Sequence, residues 1–311
     1  MGIKGITPKI AERFTNKHVM RELTEKAGFI SPKHALCHTR GEAKKFASGV
    51  GTCIIKPPDS QSSRGCHIIN NAAEIDTCFA DCMKYSKSGS EIVIEEFIEG
   101  TEFTVDGIKT KDAYIVTAIS EKEHYDYNPS VAKRLLFSWT NCSCDYDRLC
   151  QINRKMVEAL ELPFGITHAE YKYRNGEFYL IEIAARGGGT RISSDIVPIV
   201  SGIDSNEILL RMLLGEDIKI SRKPHHNYAV LGFFDFKCGK VTAISGISHA
   251  LALDGVIAVE LEVCVGETIG PAQDDRSRCG YYIIYADSPA ELADLEKKVL
   301  DTVKVDIEQG A

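Results

Sequence analysis

One stretch of this 311-residue chain restricts its fold more than any other: residues 167–191, which read THAEYKYRNGEFYLIEIAARGGGTR. Apolar and polar residues alternate on both sides of Asn175-Gly176, and Asn-Gly between two such runs predicts a β-hairpin. Each run carries a glutamate in an apolar setting, Glu170 in the first and Glu182 in the second. Because burying an unpaired carboxylate is costly, each glutamate needs a partner.

The length of the turn decides whether these two glutamates can meet. A two-residue loop at Asn-Gly would place them on opposite faces of the hairpin. A three-residue loop from Arg174, with Gly176 left-handed in a bulge, would make them diagonal neighbours on one face, about 7–8 Å apart at the backbone. Like charges there repel unless a cation lies between them, and Mg²⁺ prefers oxygen ligands. We predict the longer loop and a Mg²⁺ site at Glu170 and Glu182; the alternative is a surface hairpin whose glutamates are merely solvated.

The composition limits the class of protein. The chain has 44% hydrophobic and 26% charged residues, as globular proteins do, and its length favours two or three lobes. A formal net charge of −7 argues against nucleic-acid and membrane-surface partners. No apolar run approaches about 18 residues and no signal-peptide pattern opens the sequence, so we expect a cytoplasmic location. The eleven cysteines are scattered and odd in number, which favours reduced thiols.

Two features before the hairpin indicate an anion-binding site. Lys17 lies in the first turn of a helix that Asn16 or Thr15 can cap, where the helix dipole does not favour a cation. Lys56 ends the short strand TCIIK and precedes PPDSQSSRG, whose serines, arginine and free backbone N–H groups suit a phosphate. Taken singly, Lys17 could be a solvated lysine and the serine-rich segment could be only a loop.

The remaining pattern alternates strands and helices. We predict strands at 52–56, 66–69, 91–98, 102–108 and 113–120, and helices at 72–85, 146–162, 193–214 and 289–303. The polar and aromatic segment 121–141 is typical of a long loop. After Lys223-Pro224 the short strands divided by glycines indicate a separate β-rich appendage.

Taken in order, these segments resemble the ATP-grasp superfamily. The resemblance rests on the Lys17 helix, IIKPPDSQSSRG, IVIEEFIEGTEF, AEYKYRNGEFYLIEIAARGGG, and a C-terminal part with GETIGP and GYYI. It is closest to carboxylate–amine ligases of the amino-acid ligase and biotin-carboxylase-like type. It covers residues 15–215 well and the tail moderately. It implies an α+β fold in which ATP lies between two lobes, and an ADP-forming reaction through an acyl phosphate.

The resemblance implies four parts: an N-terminal helical linker segment at 1–45, a small lobe or lid at 46–97, a large lobe with the metal hairpin at 98–222, and a β-rich C-terminal domain at 223–311. The implied function is a Mg²⁺-dependent ligase that joins a small-molecule carboxylate to an amine. A non-catalytic ATP-binding module, a partner subunit of a ligase, and a phosphotransferase stay open as alternatives.

The resemblance also implies roles for single residues. The ATP phosphates would be contacted by a lid segment and two lysines: Lys17, Lys56, Ser62, Ser63, Arg64 and Gly65. The adenine hinge would be Glu95, Glu96, Phe97 and Ile98, with the backbone of Glu96 and Ile98 at the base edge and the Glu95 side chain near the amino group. Glu102 would hold the ribose.

The implied chemistry belongs to four further residues. Glu170 and Glu182 would bind Mg²⁺, or Mn²⁺, against the phosphates. Arg186 would stabilise the transferred phosphoryl group, and Lys133 would reach the γ-phosphate from the long loop.

Three features depart from the family pattern. Ala184 stands where the family often has an asparagine ligand, and the phosphate segment is rich in serine rather than glycine. Relatives usually carry an α/β domain before the Lys17 helix, which we expect this chain to lack. The chain would then be a fragment, a partner subunit or a reduced version of the enzyme. We expect either a homodimer or a partner chain that supplies the missing domain.

Overall fold

The computed structural model describes residues 5–60, 64–87, 89–140 and 143–308. Ser62 and Ser63, two of the predicted phosphate contacts, therefore lie outside the described residues. The described chain begins with two helices, α1 (Pro8–Glu12) and α2 (Lys17–Lys26). The side chain of Asn16 accepts hydrogen bonds from two N–H groups in the first turn of α2. Asn16 therefore caps the helix, as predicted.

The small lobe follows, and its four strands form an antiparallel sheet. Its elements are β1 (His34–Cys37), α3 (Arg40–Val50), β2 (Cys53–Lys56), β3 (His67–Ile69), a 3₁₀ turn (Ala72–Glu74), α4 (Ile75–Lys84) and β4 (Ile92–Glu96). Its strand order is β1-β4-β2-β3, and α3 and α4 share its apolar core. The small lobe therefore begins near His34, not at residue 46. Only Cys37 of β1 is fully buried, so that strand shows no clear alternation in the sequence.

The large lobe contains β5 (Thr101–Lys109), β6 (Tyr114–Tyr125), β7 (Asn128–Ser138), α5 (Tyr146–Ala159), β8 (Gly165–Arg174) and β9 (Glu177–Ala184). The segment 121–141, which we predicted to be a loop, forms the end of β6 and all of β7. Its polar side chains misled the prediction, because one face of this part of the sheet lines a cavity rather than the core.

The predicted helix at 193–214 is interrupted. It consists of a π-helical turn (Ile192–Ile196), α6 (Val197–Ser201) and α7 (Ser205–Leu213). Gly202 ends α6 with a left-handed φ of 71°, and a Cβ there would lie 2.0 Å from the carbonyl oxygen of Lys223. Only glycine fits this close approach.

The C-terminal region contains β10 (Tyr228–Phe233), β11 (Gly239–Ser245), α8 (Ile247–Leu251), β12 (Val256–Leu261), β13 (Thr268–Ile269), β14 (Gly280–Ala286), α9 (Pro289–Thr302) and β15 (Lys304–Glu308). It is not the separate appendage that we predicted. Strand β10 pairs with β7, so one sheet of eight strands runs in the order β12-β14-β10-β7-β6-β5-β8-β9. Among the described strands of this region, β13-β11-β15 form a separate sheet.

The predicted α+β class is confirmed, since helices cover antiparallel sheets in both lobes. None of the described helices combines the length and the apolar character needed to cross a bilayer.

Candidate functional site

The β8–β9 hairpin closes with two residues, and our prediction of a three-residue loop was wrong. Arg174 pairs with Glu177 across Asn175-Gly176, and both loop residues have a left-handed φ, of 53° and 84°. Two left-handed residues are typical of a type I′ turn, whose twist matches that of the flanking strands. The shorter loop is favoured for that reason.

A β-bulge brings the two glutamates together despite the shorter loop. Tyr171 pairs with Leu180 and Glu170 pairs with Glu182, so Ile181 is an extra residue in β9. Glu170 and Glu182 are therefore direct cross-strand neighbours on one face. The shared face that we predicted is present, but the bulge and not the loop produces it.

The face that carries these glutamates is charged across neighbouring strands. Side chains alternate along a strand, and in the sheet Glu102 of β5 stands between Lys122 of β6 and Lys172 of β8. Lys122 Nζ lies 2.7 Å from Glu102 and 2.9 Å from Glu170, and Lys172 Nζ lies 3.0 Å from Glu102. The opposite face of these strands packs against α5 as apolar core. We call the five residues Glu102, Lys122, Glu170, Lys172 and Glu182 the charged face.

Mutual contacts favour the ionised forms of Glu102, Lys122 and Glu170. Burial raises the pKa of Glu170, but Lys122 and His168 outweigh it and lower that pKa to about 2. Burial likewise opposes the charge of Glu102, whose pKa Lys122 nevertheless holds well below its usual value. Burial would lower the pKa of Lys122, but its two glutamate partners raise it. The face thus presents fixed charges of both signs.

A second cluster joins the two lobes. Glu95 of β4 is buried, and its carboxylate accepts a hydrogen bond from Arg21 Nε at 2.9 Å and lies 2.6 Å from Lys56 Nζ. Burial raises the pKa of Glu95, but Arg21 and Lys56 outweigh it and lower that pKa to about 2. We call these three residues the closed cluster.

Lys17 lies between the closed cluster and the charged face. Its side chain is 6% exposed, so the alternative of a solvated lysine is excluded. Its Nζ donates to the carbonyl oxygen of Ser60 at 2.7 Å and lies 3.3 Å from Glu182 Oε2. It therefore reaches an anion, as its position at the start of a helix suggested.

A cavity of about 460 Å³ opens over the charged face. Glu102, Lys122, Glu170, Glu182 and Arg186 all line it. Arg186 is exposed, donates to the carbonyl oxygen of Gly187 at 2.9 Å, and has no acidic partner among the residues that the structure describes. This arginine is consequently available to an anion that enters the cavity.

The two glutamates suit a hard cation. Within the described ranges, no group of three or more His, Cys, Asp or Glu side chains could hold a metal. Mg²⁺ commonly binds one or two protein carboxylates and completes its shell with phosphate oxygens and water. The directly opposed Glu170 and Glu182 at the wall of a cavity fit that requirement.

The predicted adenine hinge follows β4. The N–H of Glu96 donates to Lys33 O at 2.8 Å, and that of Phe97 donates to Thr52 O at 3.0 Å. The N–H of Ile98 makes no backbone hydrogen bond in the described part of the chain. Of these groups, Ile98 N–H is therefore the one left for a base edge. The Glu95 side chain, predicted near the amino group of the base, is enclosed in the closed cluster instead.

The described ends of the predicted phosphate segment are anchored beside Lys17. The hydroxyl of Ser60 donates to Arg64 O at 2.9 Å. Gly65 has a left-handed φ of 69°, and a Cβ there would lie 2.7 Å from Tyr85 Cδ2. Glycine is therefore required at the second anchor by both backbone and space.

Lys133 is placed away from the cavity, which corrects its predicted approach to the γ-phosphate. It is the extra, unpaired residue between Ala132 and Arg134 in β7, and its side chain does not line the cavity. Its Nζ lies 3.4 Å from Asp235 Oδ2 and 5.9 Å from the ring centroid of Tyr125. Lys122 on the neighbouring strand is a lysine that does line the cavity.

The three glycines after Arg186 have different neighbours. A Cβ on Gly187 would lie 2.5 Å from Ser193 Cβ, and one on Gly188 would lie 3.0 Å from His168 Nδ1. These two allow close packing within the protein. Gly189 lines the cavity and has no atom within 4 Å of a built Cβ, so it alone leaves space for a substrate.

Sequence reasoning missed several charged residues near the site. His168 Nδ1 lies 2.9 Å from Asp106 Oδ1; burial lowers the pKa of this histidine, but Asp106 outweighs it and raises that pKa to about 9. Period-two charge alternation could have found His168 and Lys172 beside Glu170. Lys122 was hidden in the predicted loop, and Arg21 carried no signal beyond lying four residues after Lys17.

Two parts of the chain match models of known families. Residues 50–195 match the family model of the ATP-grasp domain, and residues 223–308 match that of the L-amino acid ligase C-terminal domain 2. The crystal structure of an L-amino acid ligase from Bacillus licheniformis is similar with a TM-score of 0.80, at 19% identity over 98% of this chain and 75% of the other. At that identity the likeness shows a common fold.

Two named relatives are a synthase and a ligase. A dapdiamide A synthase from Enterobacter agglomerans is 23% identical over 92% of this chain and 70% of its own length. An alanine–anticapsin ligase from Bacillus subtilis is 27% identical over 70% of this chain and 50% of its own length. The chain also matches protein y4rH from Sinorhizobium fredii, at 23% identity, and spans 63% of its length.

Proposed function

Because this chain belongs to the ATP-grasp superfamily, we propose that it is an ATP-dependent, ADP-forming carboxylate–amine ligase. One observation carries the proposal: Glu170 and Glu182 oppose each other at the wall of a cavity that also receives Arg186. Paired carboxylates for a cation and an arginine without an acidic partner in the described residues are what a phosphoryl-transfer site needs.

The nucleotide would lie between the lobes. Lys17 would contact its phosphates, and the described position of Lys17, between Ser60 and Glu182, supports this role. Lys56, predicted as a second phosphate contact, is enclosed beside Glu95 and would have to exchange that contact for a phosphate. The lid contacts stay a prediction at Ser62, Ser63, Arg64 and Gly65.

Two further groups would contact the base and the sugar of the nucleotide. The N–H of Ile98 would donate to the base edge, in the hinge formed by Glu96 and Phe97. Glu102 would accept from the ribose hydroxyls, since it lines the cavity and stays ionised.

Glu170 and Glu182 would hold Mg²⁺, or Mn²⁺, against the phosphates. When bound, the cation supplies positive charge that stabilises the transferred phosphoryl group. Ala184 lines the cavity but offers no side-chain ligand, so water would complete the shell there.

The reaction would proceed in two balanced steps. A carboxylate oxygen of the first substrate attacks the γ-phosphorus of ATP, and the bond to the bridging oxygen breaks to release ADP. The amine nitrogen of the second substrate then attacks the acyl carbon, phosphate leaves with the C–O bond pair, and the nitrogen loses a proton. Arg186 would stabilise the charge on the phosphoryl oxygens in both steps.

The test is a pairwise screen of amino acids and dicarboxylates for phosphate release from ATP. We expect release of ADP and phosphate that requires both an acid and an amine. ADP release with a phosphorylated alcohol would instead show a phosphotransferase, and nucleotide binding without turnover in any pair would show a non-catalytic module. Either of the last two results would overturn the ligase proposal.

A further inference from the structure

We propose that Arg21 is a positioning residue that holds Glu182 opposite Glu170 through the bulge at Ile181. The proposal rests on the proposed function, because it concerns the same cation site. It assigns a task to a buried arginine that contacts neither the cavity nor, on the proposed binding mode, the nucleotide.

One guanidinium connects three elements. Arg21 lies on α2 and has no exposed surface. Its Nε donates to Glu95 Oε1 at 2.9 Å, and its Nη2 donates to Glu95 Oε2 at 3.2 Å and to the carbonyl oxygen of Ile181 at 2.8 Å. Helix α2, strand β4 of the small lobe and strand β9 of the large lobe therefore meet at this side chain.

The contact falls on the residue that decides the register. A bulge leaves its extra residue outside the regular pairing of the ladder, so the carbonyl of Ile181 benefits from a donor elsewhere. Without the bulge, the pairing of Tyr171 with Leu180 would continue to Glu170 with Ile181. Glu182 would then turn to the opposite face of the hairpin and leave the charged face.

Stability alone explains this arginine poorly. Taking charges out of water is costly, and a buried ion pair often adds little to stability. Arg21 also leaves its Nη1 without a hydrogen-bond partner in the described part of the chain. An arrangement with such a cost is better explained by the specific strand register that it selects.

The same network reaches the phosphate side. Glu95 shares its carboxylate between Arg21 and Lys56, whose Nζ lies 2.6 Å away. Lys17, one turn earlier on α2, contacts Glu182 itself at 3.3 Å. Arg21 itself bonds only Glu95 and Ile181 O among the described residues, so the two lysines proposed for the phosphates keep contacts of their own.

The test measures cation binding rather than turnover. Mn²⁺ is titrated into the full chain with bound β,γ-imido-ATP, and free Mn²⁺ is followed by electron paramagnetic resonance. Arg21→Lys keeps a positive charge beside Glu95, but the lysine side chain ends one bond short of the position of Nη2 and lacks the planar fork that spans Glu95 and Ile181 O. We expect Mn²⁺ to bind at least about tenfold more weakly, and the metal-free affinity for a fluorescent ATP analogue to change by less than about threefold.

Arg13→Lys is the matched control. Arg13 also bonds a carbonyl and a carboxylate, Leu160 O at 3.1 Å and Glu161 Oε2 at 2.6 Å, but it neither lines the cavity nor bonds the bulge. This variant should bind Mn²⁺ as the unchanged chain does. Unchanged Mn²⁺ binding in Arg21→Lys, or a parallel loss of nucleotide affinity, would overturn the proposal.

Deletion of Ile181 gives an independent test. It removes the bulge while Glu182 stays opposite Glu170, so Mn²⁺ affinity should stay within about threefold of the unchanged chain. In that background Arg21→Lys should cause no further loss. Loss of Mn²⁺ binding on deletion alone would overturn the proposal even if Arg21→Lys fails to fold. Neither titration needs turnover, so a chain without ligase activity would contradict the proposed function and leave this test intact.

Discussion

The closed cluster and the charged face both pair glutamates with cationic side chains, but they differ in their access to solvent. Arg21, Lys56 and Glu95 have side chains that are 0%, 5% and 2% exposed. On the charged face, the side chains of Glu170 and Glu182 are 30% and 31% exposed. The closed cluster has its charges satisfied from within, whereas the charged face keeps two carboxylates at a cavity. The first is suited to hold elements together and the second to bind a ligand.

The largest expected effect concerns the charged face. Glu182→Gln removes one of two cation ligands, so turnover should fall roughly a thousandfold while the fold stays intact. Turnover is measured as ADP release and the fold by circular dichroism. Glu177→Gln, on the same strand but paired with Arg148, should leave turnover unchanged. Full activity in Glu182→Gln would remove that residue from the cation site.

The second prediction compares the two regions by stability. Lys56→Met removes one of the two cations around a fully buried carboxylate and should cost about 3 kcal/mol. Lys122→Met should cost less, about 1–2 kcal/mol, because Glu102 keeps Lys172 at 3.0 Å and Glu170 is partly solvated. Urea unfolding measures both free energies. Equal losses of unfolding free energy in the two variants would show that burial does not distinguish the closed cluster from the charged face.

The closed cluster should also govern stability in acid. The folded pKa of Glu95 is lowered to about 2 from its ordinary value of 4.5, so the unfolded chain binds more protons between these values. Stability from this group is present above about pH 4.5 and is lost as pH falls toward 2, by about 3 kcal/mol in all. Glu95→Gln should flatten the pH dependence of the unfolding free energy in that range. An unchanged slope would contradict the assignment.

The smallest effect concerns the hairpin turn beneath the charged face. Asn175 has a left-handed φ of 53°, which alanine adopts less readily, so Asn175→Ala should cost about 1 kcal/mol of stability. The turn lies at the end of the hairpin remote from the bulge, so turnover should not change. A matching loss of turnover would show that the turn, and not the bulge, sets the position of the glutamates.

Part of the site could be predicted because it depends on local patterns. Asn-Gly between alternating runs indicated the hairpin, and Asn16 indicated the start of the Lys17 helix. Lys122 and Lys133 show the limit of such reasoning. Both lie in a polar segment, and only the strand pairing decides that Lys122 lines the cavity while Lys133 faces Asp235.

The sequence by itself determined the α+β class, the hairpin and the two glutamates that it carries, because turn chemistry and side-chain periodicity act over a few residues. The tertiary structure decided which face each glutamate occupies. That choice depends on a bulge at Ile181 whose carbonyl is bonded by Arg21, 160 residues earlier in the chain. It likewise decided that the C-terminal strands extend the central sheet, since pairing between β7 and β10 leaves no mark within either segment.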